Sequence, residues 1–297
     1  MFHKAERKQA KLRLALCGTS GSGKTYSALK IATGLGGKIA MIDTEQKSGE
    51  LYANDFKYEV ATLSPPFSPN RYIEIIKMAE NSGFNVLIID SLSHAWTGQG
   101  GVLEMHDQAC KTTHNSFAAW RDVTPHHNAL VDAILQSSLH IITTMTTKTA
   151  YEVQQNDKGK HVPVKVGLAP IQRDGMEYEF TAVLDLSIDG HIATSSKDRT
   201  SLFDGTFFKP SEKTGEQLLE WLNTGVDAEK QSREELEKLE ESIVFMKSLP
   251  QLESWGSRNK DIIDMMLADD KQMIRSAYKD KRQKLQVELE HELAEAA

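Results

Sequence analysis

GTSGSGKT, running from Gly18 to Thr25, stands between two stretches of different periodicity. Before it, LRLALCG (12–18) is a short and nearly continuous apolar run, the pattern of a buried strand. After it, the chain beginning near Lys24 reads as an amphipathic helix. Glycines at 18, 21 and 23 let successive backbone N–H groups curl inward into a concave nest, which side chains at those positions would block. The helix that follows adds the positive end of its dipole to the same concavity.

Outward from this turn, apolar runs alternate with helical stretches as far as about Asp204. The predicted strands are 12–18, KIAMIDT (38–44), NVLIIDS (85–91), LHIITTM (139–145), TAVLDLSI (181–188) and HIATSSKD (191–198). That rhythm predicts an α/β fold, a mainly parallel sheet flanked by helices. Asp189-Gly190 between the last two runs is a two-residue hairpin signal, so the sheet is expected to end in an antiparallel pair.

The spacing G-x-x-x-x-G-K-[ST], set between strand and helix, is that of a phosphate-binding loop for a nucleoside triphosphate. ATP and Mg²⁺ are the expected ligands. The loop residues Gly18, Thr19, Ser20, Gly21, Ser22, Gly23, Lys24 and Thr25, with Tyr26 after them, are the expected nucleotide contacts. Lys24 is expected at the β- and γ-phosphates, and the Thr25 hydroxyl on the metal. A second metal carboxylate is expected where an apolar strand ends, and Val86-Leu87-Ile88-Ile89-Asp90 offers Asp90. Glu45, after Ile42-Asp43-Thr44, falls at the carboxyl edge of the sheet, where it either takes a proton from an attacking water or merely begins a solvated loop.

Composition bounds the rest. A hydrophobic share of 39% and a charged share of 26% are those of an ordinary soluble protein, and no apolar run reaches the length of a membrane span. The polar, basic start lacks the features of a secretory signal, and Cys17 and Cys110 make neither a disulfide framework nor a metal-ligand spacing, so a cytoplasmic location is expected. Ten histidines include a suggestive group from His94 to His140, but none has metal-ligand spacing. The net charge of −7 belongs wholly to the tail: residues 1–210 carry 22 basic and 22 acidic groups, residues 211–297 carry 13 and 20. An acidic pI therefore does not exclude a nucleic-acid groove on the neutral part.

A composition break at 207–215 divides an expected ATPase domain, 1–210, from an expected small all-helical region, 211–297. In the tail, Leu236, Leu239, Ile243 and Met246 form one apolar helix face, Pro250 is expected to end that helix, and further helices are expected over 258–267 and 270–293.

Taken together, GTSGSGKT, IDTE and VLIIDSL resemble the RecA-like ATPase superfamily. That resemblance implies that Glu45 is the catalytic carboxylate, Asp90 the Walker B aspartate, and a polar residue ending the next strand, Thr144, a γ-phosphate sensor. Lys197-Asp198-Arg199 is similar to the Lys-x-Arg pair of the DnaB and KaiC branches. It implies that Lys197 and Arg199 act on the neighbouring subunit's nucleotide, and hence a homo-oligomer, ring or filament. The order of motifs most resembles short RecA-like ATPases of bacteriophages that act in single-strand annealing and recombination, which implies a host-cytoplasmic location. The tail segments 252–266 and 271–282 are similar to helical modules appended to phage recombination proteins, and a single-strand binding protein is a candidate partner.

The same resemblance places single-stranded DNA on two loops. One is 97–120, where Trp96 and Trp120 are candidate stackers or core residues. The other is 148–173, which holds Lys148, Lys158, Lys160, Lys165 and Arg173 against Glu152 and Asp157. The expected function is thus an ATP-hydrolysing, DNA-binding annealing or recombination protein. The alternatives are a P-loop small-molecule kinase, and an assembly protein gated by ATP without DNA binding.

Overall fold

The computed structural model describes residues 6–113, 115–155 and 161–295. The chain divides into two compact units, Lys11–Leu222, and Met1–Ala10 together with Asn223–Ala297.

In the larger unit β1 (Arg13–Gly18), β2 (Ile39–Asp43), β3 (Glu59–Thr62), β4 (Val86–Asp90), β5 (His140–Gln155), β7 (Ala182–Leu186) and β8 (Ala193–Asp198) form one sheet in the order β3-β2-β4-β5-β1-β7-β8. All neighbours are parallel except β7 and β8, so the expected mainly parallel sheet with an antiparallel end is what forms. β6 (His161–Pro170) pairs only with the distal half of β5.

The period of two along β1 sorts the core into two layers. Leu12, Leu14 and Leu16 pack with α1 (Lys24–Leu35) and with Leu218 and Leu222 of α6 (Glu212–Asn223). Ala15 and Cys17 belong to the opposite layer, with Tyr72 and Ile76 of α2 (Pro69–Asn81) and Leu130 and Ile134 of α5 (Ser116–Gln136). The two helices of the first layer meet through glycines. A Cβ on Gly34 would lie 1.8 Å from the Glu212 carbonyl oxygen, and one on Gly215 would lie 2.1 Å from that of Ile31. This packing draws α6 into the larger unit, so the division falls after Leu222 rather than at 210, where composition changes.

Four expectations shift in detail. The stretch 97–120, expected to hold a DNA-facing loop, is largely helical: α3 (Ser93–Thr97), α4 (Val102–Thr113) and the start of α5, with Asn115 Oδ1 capping the Phe117 and Ala118 N–H groups. The strand expected to stop at Met145 runs on to Gln155, and the second expected loop is an antiparallel hairpin, because β6 supplies a partner once β1 and β4 have ended. β3 escapes the sequence pattern because its residues are mostly exposed and do not alternate cleanly. The β7–β8 turn is longer than two residues: Ser187 N–H donates to the Ile192 carbonyl at 2.9 Å, and positive φ falls on Gly190 and His191.

The smaller unit packs α7 (Ala228–Val244), α8 (Leu249–Met265) and α9 (Ala268–Glu295) around Leu236, Leu239, Ile243, Leu252, Trp255 and Ile274. Pro250 does not end the first of these helices. It lies in the first turn of α8, where its missing N–H has no helical partner to lose. The N-terminal arm belongs to this unit through Gln9 N–H to Val226 O at 2.9 Å and Val226 N–H to Arg7 O at 2.8 Å. Among the described residues no helix is long and apolar enough to cross a membrane.

Candidate active site

The loop Gly18–Thr25 caps the carboxyl end of β1. Gly21 and Gly23 take φ of 82° and 83°, a region that favours glycine, and Gly23 is the N-cap of α1. A Cβ on Gly18 would lie 2.8 Å from the Leu186 carbonyl oxygen and 2.4 Å from Ser22 Oγ, so the backbone beside the loop leaves no room for a side chain there. The first helical hydrogen bond is Ser27 N–H to Gly23 O at 2.9 Å. This leaves the N–H groups of Lys24, Thr25 and Tyr26 without partners inside the helix.

Lys24 Nζ turns back onto the loop and donates to Thr19 O at 2.9 Å. Its pKa is lowered by desolvation, against which Glu45 and Asp90 act. Ser22 Oγ is buried with no hydrogen-bond partner. A ring of backbone donors, an ammonium with only a loop carbonyl to bind and an orphaned hydroxyl together suit the phosphates of a nucleotide.

Asp90, at the end of β4, is 1% exposed. Thr25 Oγ1 donates to its Oδ2 at 2.6 Å, and Thr144 Oγ1 donates to its Oδ1. Desolvation raises the Asp90 pKa, and the hydrogen bonds from Thr144 and Thr25, then Lys24, oppose it. A hydroxyl and a carboxylate in contact beside a phosphate cradle are hard oxygen donors, the set that Mg²⁺ takes.

Glu45 follows β2, which pairs in register with β4 so that Asp43 lies opposite Asp90. The Glu45 N–H donates to Asp43 Oδ1 at 2.7 Å, and Asp43 is fully buried. Glu45 is exposed, yet its carboxyl pKa is raised, first by partial desolvation, then by Asp90, while Lys24 lowers it. The sheet therefore brings Lys24, Thr25, Glu45 and Asp90 to one edge.

Other candidate residues lie elsewhere. Thr144 is fully buried in mid-strand and serves Asp90; because β5 continues past it, it does not stand at a strand end as expected of a sensor. The Tyr26 ring packs edge-on against Tyr52 and Phe56 at 5.7 and 5.2 Å and stays partly exposed. Trp96 and Trp120 stack on each other at 5.8 Å, with His106 on the other ring of the pair at 4.1 Å from Trp120. Arg173 stands over Trp120 at 6.0 Å. Lys148 is exposed on β5, Lys165 is on β6, and Lys158 and Lys160 lie outside the described residues.

Lys197 and Arg199 are at the opposite edge of the sheet. Asp198 pairs with Ala182, which pairs with Leu14, whereas the phosphate loop begins at Gly18. At about 3.3 Å per residue, that is a strand's length away. Lys197 Nζ donates to the Glu177 and Tyr178 carbonyls, the former at 3.1 Å, and Arg199 Nη2 donates to Tyr178 O at 3.0 Å.

Sequence reasoning missed His94 and Thr44. His94 Nδ1 is 2.7 Å from Thr44 Oγ1, and His94, Thr44 and Glu45 line one cavity of about 360 Å³. His94 lies outside the motifs, the motif IDTE assigns Thr44 no role of its own, and their pairing depends on the β2–β4 register. His191 was missed too. A Cβ on Gly23 would lie 3.1 Å from its Nδ1, so the β7–β8 turn covers the loop.

A mainly parallel sheet whose carboxyl edge carries a glycine-rich cradle, its lysine and two strand-end carboxylates defines a P-loop nucleotide-binding ATPase fold. Residues 10–224 match the family model described as "AAA domain", and the chain belongs to that family. Among solved structures, the crystal structure of the RadB recombinase aligns at 16% identity over 69% of this chain and 90% of that one, with a TM-score of 0.38, a likeness too slight to carry weight. No curated protein matches the chain.

Proposed function

We propose that the protein hydrolyses ATP at the edge formed by Gly18–Thr25, Glu45 and Asp90, and uses it to handle single-stranded DNA in annealing or recombination, as a phage-encoded protein of the host cytoplasm. The observation that carries this reading is the common placement of site and hairpin. β5 crosses the sheet, gives Thr144 to Asp90, and continues beyond the same edge as the β5–β6 hairpin.

In this reading the loop N–H groups and Lys24 hold the β- and γ-phosphates. Thr25 and Asp90 hold Mg²⁺, which when bound neutralises phosphate charge. Glu45 takes the proton of a water whose oxygen bonds to the γ-phosphorus as the bond to the β,γ-bridging oxygen breaks, giving ADP and phosphate. A carboxyl pKa above the usual range favours this step, because a base works best near the ambient pH. Thr144 orients Asp90 rather than sensing phosphate.

Lys148, Lys158, Lys160, Lys165 and Arg173 give the hairpin a local cationic excess for a phosphate backbone. Lys197 and Arg199, too far along the sheet to serve their own cradle, act on that of a neighbouring copy. A head-to-tail contact of this kind closes as a ring or extends as a filament. A single-strand binding protein is the candidate partner for the acidic tail.

The test is retention of a labelled single-stranded oligonucleotide at low salt, with and without ATP. Wild type retains it, most strongly with ATP, Lys24→Ala loses the ATP effect, and alanines at Lys148, Lys165 and Arg173 weaken retention with nucleotide affinity intact. Absence of retention by wild type under all conditions overturns the DNA assignment. A kinase, by contrast, turns over ATP only with a small acceptor present and is indifferent to DNA.

A further inference from the structure

We propose that His94 is a positioning residue for Glu45, acting through Thr44; the inference rests on the ATPase reading above. Glu45 is the first residue beyond the strand end at Asp43-Thr44, and a carboxylate on a departing chain has no fixed aim unless its backbone is held. Three ties hold it. Thr44 N–H donates to Asp90 O at 2.7 Å, Glu45 N–H donates to Asp43 Oδ1 at 2.7 Å, and the Thr44 hydroxyl forms a third.

The hydroxyl is the centre of this arrangement. Thr44 is 3% exposed, and its Oγ1 accepts the Ser91 N–H at 2.8 Å. It faces the Asp90 carbonyl at 3.1 Å, the Ser91 carbonyl at 3.3 Å and His94 Nδ1 at 2.7 Å. One side chain thereby joins the β2 exit that carries Glu45 to the β4 exit that carries Asp90. His94 is a partner from beyond the two strand ends, as is the buried Tyr72 of α2.

The imidazole is itself fixed. It stacks on Phe67 with 5.0 Å between centroids and 20° between planes. Phe67 is held by its N–H to Gln99 O at 2.7 Å, and Gly98 passes so close that a Cβ there would lie 2.6 Å from the Phe67 ring. Thus a chain of rigid contacts runs from the wall of the 360 Å³ cavity, through Phe67, His94 and Thr44, to the backbone of Glu45. Burial also lowers the His94 pKa, Asp90 and Asp43 opposing, which disfavours a charge on the ring beside Glu45.

The side chains of Asn and Gln separate this role from direct action. An Asn amide falls near the place of Nδ1, and a Gln amide near that of Nε2. His94→Ala is expected to lower kcat roughly tenfold with KM and nucleotide affinity unchanged. It also speeds hydrogen exchange several-fold over residues 44–49. His94→Asn restores both properties and His94→Gln neither; Thr44→Val reproduces His94→Ala, and the double variant adds little.

The proposal is overturned if His94→Gln rescues where His94→Asn does not, if exchange over 44–49 is unchanged in His94→Ala, or if nucleotide affinity falls while kcat holds. Should His94→Ala fail to fold, the Asn and Gln variants decide by the same two readouts. Wild type without ATP turnover refutes the ATPase reading instead, and the exchange measurement still decides whether His94 holds the Glu45 backbone.

Discussion

Asp90 illustrates how a single residue here depends on distant parts of the chain. Burial raises its pKa and two threonine hydroxyls hold the ionised form in place. A hydrogen bond to a charged group contributes about 1.5–3 kcal/mol. Thr144→Val is accordingly expected to cut turnover by at least tenfold and to shift the Mg²⁺ dependence to higher concentration, measured by titrating Mg²⁺ into an ATPase assay at saturating ATP. His140 gives a second prediction at this scale. It is 8% exposed, accepts the Leu12 N–H on Nδ1 at 3.1 Å, and has its pKa lowered to about 4 by burial, then by Lys11 and Arg13. The unfolded chain protonates near pH 6.5 and the folded one not until about 4. Stability is full above pH 6.5 and falls by about 3 kcal/mol as pH drops to 4, where the loss levels off. Melting of wild type against His140→Asn, whose amide oxygen still accepts the Leu12 N–H, shows whether that slope disappears. Asp90 stands out in the sequence because it ends an apolar run downstream of a known spacing, whereas spacing alone leaves Glu45 open and only the resemblance of IDTE singles it out. The roles of Thr144, His94 and His140 do not stand out, because a lone Thr or His carries no pattern and its partner is fixed only by strand register.

Among the elements, β5 and β6 depart furthest from the sequence pattern. A 16-residue strand was read as seven residues and a loop, since the distal half mixes Thr, Lys, Glu and Gln without alternation. Pairing with β6 makes it a strand. Replacing 150–166 by a short turn is expected to leave basal ATP hydrolysis and the melting temperature close to wild type while abolishing oligonucleotide retention, because the sheet below Thr146 has its own neighbours on both sides. The α1–α6 crossing gives the opposite outcome. Gly34→Ala forces a methyl group into the Glu212 carbonyl, and overpacking of this kind costs about 2 kcal/mol. Chemical denaturation should show that loss. The Glu-, Lys- and Leu-rich composition made the tail helices legible, but it also concealed that α6 is core to the larger unit, since its apolar face reads like theirs.

On the scale of the whole molecule, the distribution of charged groups over the two edges of the sheet matters most. The cradle, Glu45 and Asp90 occupy one edge, and Lys197 and Arg199 the other, where they bind carbonyls of Glu177 and Tyr178. If they complete a neighbour's site, Arg199→Ala protein and Glu45→Gln protein are each inactive, and mixing them restores turnover at those contacts where an intact Glu45 meets an intact Arg199. No recovery at any ratio removes the in-trans role and with it the need for assembly. The central claim, that this edge hydrolyses ATP in the service of single-stranded DNA, is tested most directly by the ATP hydrolysis rate of the wild-type chain with and without a single-stranded oligonucleotide, Lys24→Ala serving as the blank. A rate that rises severalfold with the oligonucleotide and vanishes in Lys24→Ala is the predicted result; a wild-type rate equal to the Lys24→Ala blank, or one that DNA leaves unchanged, contradicts it.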